Sequence, residues 1–202
     1  MLAAAPTAQA TFHLIKVREV YAGTSDDSYV ELQMYAAGQT FLTNHAMTVY
    51  NAAGTLVHSS KFTSGLANGQ NQATVLVGDT GVQAKFGVAP DLVDAELAIP
   101  AAGEAACWNA GGLPSDCVAW GNFSGAGALQ AATGTTVGSP ASPGGITPGK
   151  AIRRSIAPAA RPCSRRATTP TTAPPTSPRS PRHRATTPAR SARKPVPARP
   201  TR

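Results

Sequence analysis

The sequence predicts an all-β domain followed by a disordered basic tail. Short runs alternate apolar and polar residues with period 2, the signature of a half-buried strand. Clusters of Gly, Asn, Asp and Ser punctuate these runs at intervals of about ten to fifteen residues, as in sandwiches and barrels. The composition then breaks. All eleven aromatic residues lie at or before Phe123, whereas residues 157–202 hold eleven prolines and almost no Ile, Leu, Val or Phe. Such a segment cannot build a core. One domain remains, residues 11–156, within the usual single-domain size.

Each element follows from its own residues. Met1-Leu-Ala-Ala-Ala-Pro-Thr-Ala-Gln-Ala10 is small, apolar and uncharged. Ala8-Gln-Ala10 fits the pattern before a signal-peptidase cut, so residues 1–10 read as a signal-peptide remnant whose true start lies upstream. The alternative is an Ala-rich terminus with no targeting role. Ile15 and Val17 alternate with Lys16 and Arg18, Val30, Leu32 and Met34 with Glu31 and Gln33, and Met47 and Val49 with Thr48 and Tyr50. Residues 73–77 close another run. Turns are expected at residues 23–27, 51–54, 67–69 and 78–81. Val49-Tyr50 and Leu56-Val57 flank residues 51–54, which predicts a hairpin. Residues 80–86 suit one short helical turn. Residues 124–149 read as a Gly/Ala/Pro-rich loop. No apolar stretch approaches the roughly 18 residues of a membrane-spanning helix.

Ile15-Lys-Val-Arg-Glu-Val-Tyr21, the acidic turn at Asp26-Asp27 and the following Tyr29-Val-Glu-Leu32 resemble the opening of a lamin tail domain. The hairpin at residues 51–54, and Val118-Ala-Trp-Gly-Asn122 ahead of a Gly-rich loop, are similar to that family as well. The resemblance covers residues 11–156 and is weakest between Lys61 and Pro100. It implies an immunoglobulin-like β-sandwich that scaffolds or binds and does not catalyse. Such domains occur in nuclear lamins and as modules of bacterial secreted or surface proteins. The chain has no heptad run, so it resembles the exported bacterial kind. The implied role is a non-catalytic, extracellular or cell-surface binding or structural module. It would need no cofactor, and its partner would be a protein or surface polymer rather than a small-molecule substrate.

Cys107 and Cys117 are ten positions apart, separated by a Gly/Pro-containing loop that can bring its ends within bonding range. A disulfide is expected if the chain is exported, and free thiols otherwise. The pattern lacks the CxxC or nearby His of a zinc site.

The charges are segregated. Residues 1–146 hold all ten acids and four bases, whereas residues 147–202 hold fourteen bases and no acid. An evolved tail of this kind would bind nucleic acid, an anionic membrane surface or another acidic polymer without sequence preference. The competing and preferred reading is a shift of reading frame near Pro158-Ala159. Pro158-Ala-Ala-Arg-Pro-Cys-Ser-Arg165, written in GC-rich codons and displaced by one base, permits Pro-Gly-Cys-Pro-Thr-Leu-Leu-Glu. Residues 165–177 then permit Ala-Gly-Asp-Asp-Thr-Asn-Asp-Ser-Ala-Ala-Asp-Phe. Such an acidic end resembles that of bacterial lamin-tail-like domains, and it would make the formal +8 an accident.

Several residues are candidates for chemistry. Asp26, Asp27 and Glu31 cluster around one loop and could hold Ca²⁺, although turn formation explains them as well. His13, His45 and His58 are dispersed and read as ordinary strand or loop residues. Gly78-Asp-Thr-Gly81 contains the aspartic-protease tripeptide but no second copy of it. The chain has no Gly-x-Ser-x-Gly elbow, so a hydrolase would require a His, an acid and a Ser brought into one cleft. Trp108 and Trp120 read as core anchors or, alternatively, as an aromatic ligand platform. Asn122-Phe-Ser124 is a glycosylation sequon.

Overall fold

The computed structural model describes residues 12–159 except 113, 128 and 130–136. The signal-peptide remnant expected at residues 1–10, and residues 160–202 with the reading of the tail as disordered or frameshifted, lie outside the described residues. The chain separates into two units, Met1–Arg161 and Pro162–Arg202, and every described residue belongs to the first.

The first unit is an all-β sandwich. Its elements are β1 (Ile15–Ala22), β2 (Tyr29–Met34), β3 (Ala46–Tyr50), β4 (Leu56–Lys61), β5 (Thr74–Gly78), α1 (Val82–Phe86), β6 (Leu92–Val93), β7 (Ala105–Asn109), β8 (Pro114–Ala119) and β9 (Lys150–Arg153). One sheet has the order β6-β5-β2-β1-β9 and the other β4-β3-β7-β8. All pairs are antiparallel except the two-residue β5–β6 pair. The second strand pairs with the fifth and the third with the seventh, so the chain crosses between sheets as in immunoglobulin domains.

Alternation places Ile15, Val17, Leu32, Met47, Val49 and Val75 on the inner faces, all at 1% exposure or less. They enclose Trp108 and Trp120, both fully buried. Each indole N–H is satisfied by a main-chain oxygen, Trp108 by Phe12 at 3.0 Å and Trp120 by Pro100 at 2.8 Å. The two tryptophans are therefore core anchors, and no ring face is left for a ligand platform. A second apolar layer, including Tyr50, Cys107, Phe123 and Leu129, covers the outer face of the β4-β3-β7-β8 sheet.

The hairpin at residues 51–54 forms because the Asn51 side chain accepts the N–H groups of Ala53 and Thr55, and Gly54 supplies φ +83°. At Gly121 (φ +61°) a Cβ would lie 1.7 Å from the Ala102 oxygen, so only glycine lets these two loops touch.

Two features depart from the sequence reading. The segment around the cysteines is not a loop: β7 and β8 pair directly, with Cys107 opposite Cys117. The alternation of β1 also breaks at a bulge between Val17 and Glu19, which turns Val20 and Ala22 inward and Glu19 outward.

Candidate functional site

Val17, just before the bulge in β1, is in register with Leu32, and antiparallel alternation turns its N–H and C=O away from β2. A buried N–H or C=O without a partner costs about 1–3 kcal/mol, so the fold supplies partners from elsewhere. Asp116 of β8 accepts the Val17 N–H at 2.9 Å, and Arg154, just after β9, donates its Nε–H to the Val17 oxygen at 2.5 Å. Arg154 and Asp116 also form an ion pair, which ties the two sheets together at this side. Burial pushes the Asp116 carboxyl up despite the opposing pull of Arg154 and the Val17 N–H.

Beside this clasp runs a groove of about 380 Å³ between the β1–β9 edge of one sheet and β8 of the other, closed along its far side by residues 137–142. Val118, Ala119, Val137 and Ile152 give it an apolar wall. Arg18, Arg153 and Arg154 and one acid, Glu19, supply its charges. Arg153 pairs with Glu19 yet stays 61% exposed, and Glu19 also accepts the Tyr29 hydroxyl at 2.6 Å. Arg18 pairs with Glu31 at 3.4 Å. β9 has β1 on one side and no strand on the other among the described residues.

The opposite side of the sandwich has its own clasp. His58 Nε2 of β4 lies 2.8 Å from Asp94 Oδ2, just past β6. Burial would raise the Asp94 carboxyl, but His58 at 2.8 Å and the Glu96 N–H at 3.1 Å hold it below the usual carboxylate range. A His and an acid thus meet here, and Ser60 of the same strand is bonded to neither: it is 2% exposed and its hydroxyl has no hydrogen-bond partner among the described residues. A nucleophilic hydroxyl needs the imidazole as its hydrogen-bonded neighbour and access to substrate, and this arrangement provides neither.

Two of the three acids considered for an ion loop are engaged by partners of their own. Asp27 is 3% exposed; its carboxylate accepts the Thr24 and Ser25 N–H groups and pairs with Lys85 of α1. Burial works to raise this carboxyl, but those bonds prevail and hold it below its ordinary value. Glu31 pairs with Arg18, and Asp26 is exposed. No group of three or more His, Cys, Asp or Glu residues that could hold a metal is found among the described residues. The Asp-Thr-Gly turn is structural: Asp79 accepts the Thr80 N–H, and Gly81 donates to the Asp26 oxygen at 2.6 Å, an approach that a side chain would block. His45 stacks on Phe12 at 3.6 Å, and His13 neighbours the same ring at 4.2 Å. Asn122 of the sequon is exposed.

Cys107 and Cys117 are joined by a disulfide, with their Cα atoms 4.1 Å apart across β7 and β8. Cys107 is fully buried, and Cys117 reaches the groove wall. No helix among the described residues is long and apolar enough to cross a membrane. Both facts are compatible with an extracellular location.

Sequence reasoning missed Glu104, immediately before β7. It is 8% exposed, its Oε2 has no hydrogen-bond partner among the described residues, and burial pushes its carboxyl up to about 7. A lone acid in the sequence carries no signal of such burial. Comparison with known protein families, curated proteins and solved structures finds no match to this chain.

Proposed function

We propose that the chain is an exported, non-catalytic binding module of the lamin-tail type, which acts through the surface of its sandwich. The observation that carries this reading is the groove beside β9, an apolar wall next to a strand edge that no strand pairs among the described residues, with exposed arginine at its rim. The buried and half-buried charges Asp27, Glu19, Asp116 and His58 are engaged in clasps that hold loops and sheet edges. Their chemistry is architectural. The immunoglobulin strand order and the lamin-tail-like residues at Tyr29-Val-Glu-Leu32 support the family assignment. The disulfide supports export.

A second reading is favoured by one observation, the eleven bases and no acid beyond residue 159. It makes the chain a binder of nucleic acid, anionic membrane or another anionic polymer through the tail. Removing residues 162–202 separates the two. A sandwich-based module keeps its partner after truncation and at 0.5 M salt. Tail-based binding to DNA or heparin is lost under both conditions.

A further inference from the structure

We propose that the β9 edge and its groove accept an extended acidic peptide as an added strand, with alternate apolar side chains in the groove. This deepens the binding-module reading and rests on it.

Arg154 N–H bonds to the Arg18 oxygen at 2.9 Å. By the two-residue alternation of an antiparallel ladder, the main-chain groups of Ala151 and Arg153 then face away from β1. They offer an incoming chain the donors and acceptors of an open sheet edge. The other edges are less suited. β6 is two residues long, β4 is bulged at Val57, and β8 is bridged by residues 137–142 through the Ala141 N–H to the Ala119 oxygen.

Charge decides the occupant. Lys150 and Arg153 lie on β9 and Arg154 just after it, Arg18 lies opposite Arg154, and Glu19 is the single acid in the groove lining. Each arginine spends only part of its five N–H donors on its ion pair. The same charges disfavour a second copy, because antiparallel self-pairing of β9 through Ala151 and Arg153 would set Lys150 against Arg154 of the other molecule. An extended chain alternates its side chains with period 2. Acidic residues at one parity meet Arg153 and Arg18 on the outer face, and small apolar residues at the other meet Val118, Val137 and Ile152.

The test is fluorescence anisotropy with a labelled, end-capped heptapeptide alternating Asp and Val, and a Lys/Val counterpart as control. It is read on the full chain and on the unit ending at Arg161, which is compact by itself. The truncated unit is expected to bind the acidic peptide and not the basic one. Ala151→Pro removes one outward N–H while leaving the β1 ladder in place, and should weaken binding about tenfold or more. Arg153→Gln should weaken it and flatten its salt dependence. Both variants are checked for unchanged near-ultraviolet circular dichroism. Binding by the full chain alone, or equal affinity in a folded Ala151→Pro variant, overturns the proposal. If the truncated unit holds an extracellular partner at 0.5 M salt but ignores the peptide, this proposal falls and the binding-module reading stands.

Discussion

Glu104→Gln is the perturbation whose outcome follows most directly from one buried group. The folded protein holds this carboxyl up near 7 because burial penalises its charge, against an ordinary value of 4.5. Between these values the unfolded chain has released the proton and the folded chain still binds it. Stability therefore falls as pH rises through the window from 4.5 to about 7. At about 1.4 kcal/mol per pH unit the full rise amounts to about 3 kcal/mol, present in full only above pH 7. Glutamine keeps the shape and cannot ionise. The variant should thus be more stable than the parent by about 3 kcal/mol at pH 8 and nearly equal to it at pH 4.5. Urea unfolding followed by tryptophan fluorescence measures this, since Trp108 and Trp120 are both fully buried and report loss of the core. Other titrations cancel in the difference between the two proteins. A difference that stays constant from pH 4.5 to pH 8 would refute the assignment of a neutral, unpartnered acid at this position.

Three further outcomes are expected. Cys107→Ser should cost about 2–3 kcal/mol, the loop-closure value for so short a ring, and reduction of the parent with dithiothreitol should bring it to the same midpoint. Asp116→Ala leaves the Val17 N–H and Arg154 without their partner and should cost about 1–3 kcal/mol, read as a lower urea midpoint at unchanged slope. For Asp27→Asn the sign is opposite to that of Glu104. The folded carboxyl is held low, so its contribution is present above its ordinary value of 3.8 and lost as pH falls through the lower folded one. The variant should be less stable than the parent at pH 6, and the gap should close in strong acid, as measured by thermal melts from pH 2 to 6.

β1, β2 and β5 were legible because stretches of each bury one face and leave the other partly wet, so Ile15, Leu32 and Val75 stand out against their neighbours, while β3, buried throughout, still alternates Met47 and Val49 with Thr48. β7 was not, because a second apolar layer covers its outer side. Ala105, Ala106, Cys107 and Trp108 are all buried, and alternation disappears. β8, Pro-Ser-Asp-Cys-Val-Ala, carries turn-forming residues, and its strand character comes from pairing with β7. The cysteine pair was visible in its spacing, although paired strands, not a loop, bring the two residues together. The groove was invisible from sequence. Val17 and Asp116 lie 99 positions apart and Asp116 and Arg154 lie 38 apart, and nothing local announces that the outward main-chain groups of Val17 will take both as partners.

Hydrogen exchange on the full chain, with and without the acidic heptapeptide, puts the central claim to its most direct test. Slowed exchange is expected at residues 150–154 and 117–119, where the added strand meets β9 and the groove wall. Slowing confined to residues 160–202 would contradict that claim and place binding in the tail.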